Sequence, residues 1–414
     1  MAEPKVRFRR DDGSSYPAWN DVVLGDIATR VTRKNANGET DRPLTIASIE
    51  GLVDQRTYFG KTIASKDMSG YFLLKNGEYA YNKSYSAGYD YGSIKRLDKY
   101  DMGALSTLYI CFALDEDQNT DFYDCYFNGL SWYSQMPQIC AEGARNHGLL
   151  NVSPNDFFKI QLSVPSSKEE QQKIADFLSS VDEVITASEQ EVANLETQKK
   201  AVMKKIFSQE VRFKRVDGSD FPEWEEKALG SFAKRVTRKN KDNACKLPLT
   251  ISAEYGLIDQ SEFFNKTVAS KDMSTYYLLQ NGEFAFNKST SKDYPVGAIK
   301  RLDRYAAGAV SPLYICFELY GDTVLSDFAV QYFETDCWHQ GVLDIAQEGA
   351  RTHGLLNISV PGFFETVHEL PADLEEQRLI ADFLSNFDEA ISATKKELEL
   401  WKELKKGLLQ QMFV

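Results

Sequence analysis

Few residues of this chain have the type and spacing that catalysis or metal binding requires. The sequence contains four histidines. His147 and His353 fall in the related segments EGARNHGLLN and EGARTHGLLN, where a histidine could contact a ligand but more often caps a loop or fills a polar pocket. Cys337 and His339 could supply two metal ligands, yet no further ligand lies near them in the sequence. We therefore predict no metal site.

Motifs for nucleotide and group-transfer chemistry are also missing. The sequence lacks G-x-x-x-x-G-K-[ST], G-x-S-x-G, H-E-x-x-H and G-x-G-x-x-G. It also lacks the Asn-Pro-Pro-Tyr type of tetrapeptide expected of an adenine methyltransferase. The expectation is a non-catalytic chain with no cofactor of its own.

Basic residues offer a different chemistry, which is binding to phosphate. The chain has 48 Lys+Arg against 61 Asp+Glu and a formal net charge of -13, so contact with nucleic acid would need a local patch. Candidates for such a patch recur at matching positions in the two halves of the chain: Arg30, Arg33, Lys34 and Arg145, and then Arg235, Arg238, Lys239 and Arg351. For any one of them, a solvated surface position is the alternative interpretation.

The chain is an internal duplication. VRFRRDDGSSYPAW at 6–19 returns as VRFKRVDGSDFPEW at 211–224, and residues 44–84 match residues 249–289 at 26 of 41 positions. Both copies end alike, with EEQQKIADFLSSVDEVI at 169–185 and EEQRLIADFLSNFDEAI at 375–391. A repeat of this length indicates two copies of one structural unit.

Each copy is predicted to be a strand-rich globule followed by a long helix. Short β-branched and aromatic runs such as LYICF and EYAYN, separated by Asn-Gly turns, favour strands. The fold class is therefore α+β. The predicted segments are residues 1–165 (domain 1), 166–210 (helix 1), 211–371 (domain 2) and 372–414 (helix 2).

The two helices are predicted to pair with each other. Ser167 with Glu170, and Asp373 with Glu376, have the spacing of a capping box, and apolar residues then recur at alternating steps of four and three. A single stripe of this kind could lie on its own domain. Two matched stripes favour an antiparallel coiled coil between copies related by a pseudo-two-fold axis, which would act as a spacer between the globules.

The sequence predicts a cytoplasmic protein with no membrane contact. No run approaches the roughly 18 apolar residues that a membrane span needs. The six cysteines are far apart and form no C-x-x-C pair, so a disulfide framework is not expected.

Together these features resemble the specificity (S) subunit of Type I restriction-modification enzymes. The resemblance covers essentially the whole chain, and the twice-repeated EEQxxIADFLSxxDExI helix is its most specific element. It implies that each globule is a target recognition domain reading one half of a bipartite site in double-stranded DNA, with the helices as conserved spacers. It also implies two methyltransferase (M) subunits and restriction (R) subunits as partners, to which S-adenosylmethionine, ATP and Mg would belong.

Within that resemblance, one tripeptide in each copy is the candidate for contact with base edges. Asn suits adenine and Lys suits guanine in the major groove. The candidates are Asn82, Lys83 and Ser84 in the first copy, and Asn287, Lys288 and Ser289 in the second. The loops that follow differ between copies and contain Tyr89 and Lys292. The alternative is that the tripeptide merely ends a strand.

Two further hypotheses stay open at this point. One is a cytoplasmic coiled-coil scaffold that joins two protein-binding modules without DNA. The other is an orphan or Type II-like specificity subunit that directs methylation only. If the chain does recognise DNA, the similarity of its copies predicts half-sites related as a partial inverted repeat.

Overall fold

A computed structural model describes residues 3–61, 63–86, 88–140, 150–252, 255–264, 269–291, 294–346, 354 and 356–413. Contacts divide the chain into two compact units. Unit 1 is Met1–Glu189 with Lys396–Val414, and unit 2 is Gln190–Lys395. Each unit thus takes part of both long helices, and the division into four segments at 165, 210 and 371 stays a prediction.

Unit 1 contains ten short strands and five short α-helices in its described part. The strands are β1 (Asn20–Val23), β2 (Ala28–Arg30), β3 (Leu44–Ala47), β4 (Gly51–Asp54), β5 (Phe72–Lys75), β6 (Tyr79–Asn82), β7 (Ser93–Arg96), β8 (Met102–Leu105), β9 (Ile110–Leu114) and β10 (Gln161–Val164). The helices are α1 (Leu24–Ile27), α2 (Gln55–Phe59), α3 (Thr120–Asn128), α4 (Met136–Ile139) and α5 (Pro154–Phe157). A 3-10 helix covers Ser131–Gln135, and the long helix α6 (Lys168–Phe207) follows β10.

Unit 2 repeats this order. Its strands are β11 (Glu225–Ala228), β12 (Ala233–Arg235), β13 (Leu249–Ser252), β14 (Gly256–Asp259), β15 (Tyr277–Gln280), β16 (Phe284–Asn287), β17 (Ala298–Arg301), β18 (Ala307–Val310), β19 (Ile315–Leu319) and β20 (Val367–Leu370). The helices are α7 (Leu229–Phe232), α8 (Gln260–Phe264), α9 (Ser326–Phe333), α10 (His339–Ile345) and α11 (Val360–Glu365), with a 3-10 helix at Lys241–Asn243. The second long helix, α12 (Leu374–Met412), follows β20.

The strands form the same antiparallel sheets in both units. A four-stranded sheet has the order β2-β9-β6-β7 in unit 1 and β12-β19-β16-β17 in unit 2. Two-stranded ladders join β1 with β10, β3 with β4 and β5 with β8, and their counterparts pair in the same way. Hence the duplication seen in the sequence is a duplication of topology and register.

Aromatic side chains fill the main core of each unit. In unit 1, Tyr81 stacks on Phe157 with ring centroids 4.6 Å apart. In unit 2, Phe286 stacks on Phe363 at 4.8 Å. Rings of this size bury a large apolar area and fix the packing geometry, so the cores hold the strand ends in defined positions.

The two long helices pack against each other in antiparallel directions, as the seam predicted. In unit 1, Asp182 pairs with Lys405, and Glu189 lies 2.9 Å from Lys402. In unit 2, Glu196 lies 2.7 Å from Lys395, and Lys199 lies 2.6 Å from Asp388. Along these pairs the residue numbers rise on α6 and fall on α12, so the two helices are antiparallel. Lys199 and Lys405 interrupt the apolar stripes of the two helices at matching positions, and each pairs with a carboxylate of the other helix. Among the described residues, no helix is both long and apolar enough to span a membrane.

The predicted capping boxes are wrong in one respect. The Glu170 carboxylate does not return to the start of α6 but accepts hydrogen bonds from the Arg7 guanidinium at 2.7 and 3.0 Å. Arg212 binds Glu376 in the same way at 3.1 and 2.9 Å. Because the glutamates are fully buried, a charged partner is needed to offset their desolvation. The repeated VRFxR motif thus ties the start of each copy to a long helix.

The final residues of each long helix complete a globular core. Phe207, at the end of α6, packs against Trp224, Phe328 and Tyr332 in unit 2. Phe413, just after α12, packs against Trp19, Phe122 and Tyr126 in unit 1. A matching backbone bond accompanies each: Val211 N–H donates to Lys205 C=O at 3.1 Å, and Val6 N–H donates to Gln411 C=O at 3.0 Å.

Candidate nucleic-acid interface

The Asn-Lys-Ser tripeptide forms the same turn in both units, at the end of β6 and of β16. The Asn82 side-chain oxygen accepts a hydrogen bond from Ser84 N–H at 3.0 Å. Asn287 accepts from Ser289 N–H, also at 3.0 Å. Asn ends strands in this way because its side chain can satisfy the backbone two residues on. The bond fixes the carboxamide and occupies its oxygen. Among the described residues the NH2 group of Asn82 has no hydrogen-bond partner, so both of its N–H donors are available to a ligand.

The turn lies against the end of the segment that the repeat preserves as EGARxHGLLN. Leu150 N–H donates to Lys83 C=O at 2.8 Å, and Leu356 N–H donates to Lys288 C=O at 3.0 Å. Thr290 N–H also donates to Gly354 C=O at 2.7 Å. Two motifs that are about 65 residues apart in the sequence therefore meet at one surface. Arg145 and Arg351, which belong to these segments, lie outside the described residues, as do His147 and His353.

Lys83 and Lys288 are half-buried cations within the turn. Neither has an ion-pair partner among the residues that the structure describes. Partial burial lowers the pKa of Lys83 below its usual value, because desolvation disfavours the ammonium form. A ligand that supplies an acceptor would offset this cost.

Tyr89 lies in the loop between β6 and β7, near a buried lysine. Its ring centroid is 5.8 Å from the Lys95 ammonium, and burial raises the pKa of the Tyr89 hydroxyl. Tyr294 has the same relation to Lys300, at 5.7 Å. Lys292 lies outside the described residues. The ring and the cation form a compact cluster beside the turn.

The other predicted basic residues lie at a different place on the sheet. Arg30 ends β2 and is level with Phe112 on β9 and Tyr79 on β6. Asn82 is three residues further along β6, which is two strands from β2. That places Arg30 about 10 Å along the strands and about 10 Å across them from Asn82. The turn and the Arg30 region are therefore separate parts of the sheet, and strand alternation puts the Arg30 and Asn82 side chains on opposite faces.

Most of these other basic side chains are already engaged within their own unit. Arg33 binds both carboxylate oxygens of Glu78 at 2.8 Å, and Arg238 binds Glu283 at 3.0 and 3.1 Å. The remaining contacts are Lys34 with Gly70 C=O at 2.9 Å, Lys239 with Thr275 C=O at 2.8 Å and Arg235 with the Tyr277 hydroxyl at 3.1 Å. Arg30 is exposed and has no such partner in the described part. Their role as phosphate contacts stays a prediction, and Arg30 has the most available charge.

One exposed feature escaped the sequence reasoning. Tyr58 and Phe59 on α2, and Phe263 and Phe264 on α8, are exposed aromatic pairs at the same repeat position. The signal that could have found them is the aromatic doublet itself, YF in one copy and FF in the other, next to a polar segment.

Comparison with known proteins finds one matching family model and several solved structures of similar fold. Residues 19–197 match the family model described as the Type I restriction modification DNA specificity domain. The crystal structure of a Type I restriction-modification S subunit from M. genitalium has a TM-score of 0.56 and 12% identity, covering 100% of this chain and 99% of that one.

A second similar chain comes from a structure described as showing complex assembly and conformational transition of the type I R-M system. It has a TM-score of 0.52 and 14% identity, covering 96% of this chain and 98% of that one. Identities this low establish the fold, whereas the family model rests on the sequence itself. Residues 19–197 therefore match the model of the Type I restriction modification DNA specificity domain, and the chain as a whole has the fold of Type I S subunits.

Proposed function

We propose that this chain is the DNA-reading subunit of a Type I restriction-modification complex and that each unit reads one half of a bipartite site in double-stranded DNA. The observation that carries the proposal is the Asn-Lys-Ser turn. It recurs with the same internal hydrogen bond in both units, and the first of them lies within the matched specificity domain. Methylation of adenine, and cleavage, would be performed by partner M and R subunits.

The chemistry of the turn suits the edges of purines. With its oxygen bound to the backbone, the Asn82 carboxamide offers NH2 donors, and Lys83 offers an ammonium. Adenine N7, guanine N7 and guanine O6 are acceptors in the major groove. The turn as described would therefore favour purine acceptors over the amino groups of adenine and cytosine, unless the Ser84 bond breaks on binding.

The charge of the chain favours a shared interface with its partners. A net charge of -13 opposes binding to a polyanion, and phosphate contacts supply most of the nonspecific affinity for DNA. We infer that the two M subunits contribute part of the positive surface. S-adenosylmethionine, ATP and Mg would be bound by those partners and not by this chain.

The proposed function also predicts a relation between the half-sites. Since the same turn is present in both units at matching strand ends, the two half-sites should share bases when one is read in the opposite orientation. Where the loops differ, as in the segment of Tyr89, the bases should differ as well.

The test is co-expression of the chain with a Type I methyltransferase subunit, followed by mapping of methylated adenines in genomic DNA. We expect a split motif for the wild type. Asn82→Ala should lower methylation about 10- to 100-fold and relax one half of the motif, because a good base contact contributes about 1–3 kcal/mol of discrimination. Asn287→Ala should affect the other half. Asn37→Ala is the matched control, since Asn37 is exposed and, among the described residues, its side chain hydrogen-bonds with Glu39 alone.

Other outcomes would contradict the proposal. Unchanged motifs in both variants would remove the turn from base reading. The absence of any complex and of any modified motif would favour the scaffold hypothesis. If R subunits added to a complex that methylates the motif produced no cleavage, a subunit that directs methylation only would be favoured.

A further inference from the structure

The aromatic pairs on α2 and α8 are exposed where burial would be expected. Tyr58 and Phe59 are 48% and 42% exposed, and Phe263 and Phe264 are 44% and 42% exposed. The two rings of each pair meet edge to face, with centroids 4.9 and 4.8 Å apart. A single exposed apolar residue needs no explanation. Two exposed rings at the same place in both copies indicate a contact that the isolated chain does not make.

These rings are held by an ordered support. The Asp54 carboxylate accepts from Arg56 N–H at 2.9 Å at the start of α2. The Gln55 side chain donates to Leu44 C=O at 3.0 Å and accepts from Ala64 N–H at 2.9 Å. The whole of α2 buries no side chain, so its position depends on these bonds. A support of this kind presents the rings in a fixed orientation, which lowers the entropy lost on binding.

In unit 2 the support is the same in outline. Asp259 accepts from Ser261 N–H at 2.8 Å, and the Gln260 side chain donates to Leu249 C=O at 3.3 Å. The aspartate bond and the glutamine donor bond thus recur in both units, although Gln260 Oε1 has no counterpart of the Ala64 bond among the described residues. The first ring is tyrosine in one pair and phenylalanine in the other, and the second is phenylalanine in both.

The charge around the first pair favours a polyanion. From residue 55 to residue 66 the chain has Lys61 and Lys66 as available cations, while the Arg56 guanidinium is paired with Asp54 at 2.7 Å and with Asp41 at 3.5 Å. Lys61 and Lys66 are exposed and have no ion-pair partner among the described residues. In unit 2, Lys271 is likewise exposed at the position of Lys66. Planar rings in the same segment as exposed ammonium groups suit a DNA duplex, whose sugars and groove edges offer apolar contacts next to phosphates.

The pair lies away from the base-reading turn. The other end of the β3–β4 hairpin is next to the β6–β7 loop, where the Ser48 and Ser86 hydroxyl oxygens are 3.2 Å apart. The four residues of β4 separate that end from α2. This is about 13 Å of strand, the length of about four base pairs of duplex. The rings could therefore contact DNA that flanks the bases read by the turn.

We propose that the Tyr58–Phe59 pair and the Phe263–Phe264 pair bind duplex DNA beside each half-site, with the rings against sugars or base edges and the neighbouring lysines on phosphates. This inference rests on the proposed function and adds a second, sequence-independent contact to each unit.

The experiment uses the full chain purified with its methyltransferase partner, and measures binding to a labelled cognate duplex and to a labelled random-sequence duplex over a range of salt concentrations. Y58A/F59A should weaken binding to both duplexes by roughly 5- to 100-fold, because each ring loses the apolar area that it would bury against the duplex. The salt dependence should stay the same, because no charge is removed. K61A/K66A should instead reduce the slope of log K against log salt by about 1 to 2.

Val216→Ala is the matched control, since Val216 is fully exposed and belongs to no aromatic pair. Thermal unfolding of each variant should equal that of the wild type, because the altered side chains are on the surface.

The alternatives give distinct results. If Y58A/F59A and F263A/F264A bind both duplexes as the wild type does, the inference is overturned and the proposed function stands. If these variants lose the methyltransferase subunit but the assembled fraction binds DNA normally, the pairs dock a protein and the inference is overturned. If the wild-type complex binds neither duplex, the proposed function fails and this inference fails with it.

Discussion

Units 1 and 2 share their aromatic framework but differ in the polar groups placed inside it. Tyr79 stacks on Phe112 at 5.2 Å, and Phe284 stacks on Phe317 at 5.3 Å at the matching position. The buried polar groups, in contrast, differ between the two units. In unit 2 the buried His368 lies between the Tyr332 hydroxyl, 3.1 Å from Nδ1, and Thr366 Oγ1, 2.9 Å from Nε2.

Unit 1 has Leu162 at the position of His368. Burial lowers the pKa of His368 to about 4, so the histidine is neutral near pH 7 and both ring nitrogens are satisfied. The comparison shows that ring packing determines the geometry of the fold, while hydrogen-bonded polar groups can be exchanged for apolar ones of similar size. It also means that the two units should respond differently to acid.

A second difference is the position in the sequence of the phenylalanine that completes each core. Phe207 lies 17 residues before Trp224, whereas Phe413 lies almost 400 residues after Trp19. The contacts themselves are alike, with rings about 6 Å apart in both cases. The two units therefore have the same local packing at this point but differ in how the chain connects the packed residues.

The largest expected effect is the loss of stability on removing the phenylalanine ring that completes a core. Phe413 is 3% exposed, so Phe413→Ala should destabilise unit 1 by about 3–5 kcal/mol through lost burial and a cavity. Amide hydrogen exchange resolved by unit, together with thermal unfolding, would measure it.

Phe207→Ala is the matched variant and should act on unit 2 instead. If Phe413→Ala raised exchange equally in both units, or left unit 1 unchanged, the packing would not be local to each unit as described.

The next largest difference between the two units should be in how their stability changes as the pH is lowered. Between about pH 6.5 and pH 4 the unfolded chain binds a proton at His368 that the folded chain does not, so the free energy of unfolding falls as the pH is lowered. The loss should reach about 3 kcal/mol in unit 2. His368→Leu should remove this part of the pH dependence. The measurement is denaturant unfolding of both proteins across that range, and parallel curves for the two proteins would contradict it.

The smallest effect concerns the helix ion pairs. Asp388 accepts from Lys199 and also from the Gln331 side chain at 2.8 Å, while the position of Gln331 is Cys125 in unit 1. Asp388→Asn should therefore cost about 1 kcal/mol more than Asp182→Asn.

Double-mutant cycles should give coupling energies of about 0.5–1 kcal/mol for Lys199 with Asp388 and for Lys405 with Asp182, because both pairs are partly exposed. Equal costs of the two single substitutions would show that Gln331 adds nothing.

Much of the fold could be predicted from the sequence because the sequence repeats itself. Two matched seams, with lysines at the same interruptions, indicate that the helices need partners, and the structure confirms the antiparallel pairing. What the repeat could not predict is the use of Glu170. Its spacing fits a capping box, but its partner Arg7 is more than 160 residues away, and local patterns contain no information on such a contact.

The candidate site was predictable only in part. The Asn-Lys-Ser turn was identifiable because the duplication preserves it, and its position at a strand end follows from Asn chemistry. The engagement of Arg33 by Glu78 was not, since it depends on how β5, β6 and the segment after β2 meet. The exposure of Tyr58 and Phe59 was harder to predict, because an aromatic doublet alone fits a core pair as well as a surface pair, and only the polar segment beside it favours the surface.

The discontinuity of unit 1 has a consequence for the order of events during synthesis. Domains generally fold as they emerge from the ribosome, from the N-terminal side first. Here the core around Trp19 lacks Phe413 until residues 396–413 have been made, after all of unit 2. The N-terminal unit is therefore expected to be the last to reach its final stability, and a nascent chain should protect the amides of unit 2 before those of unit 1.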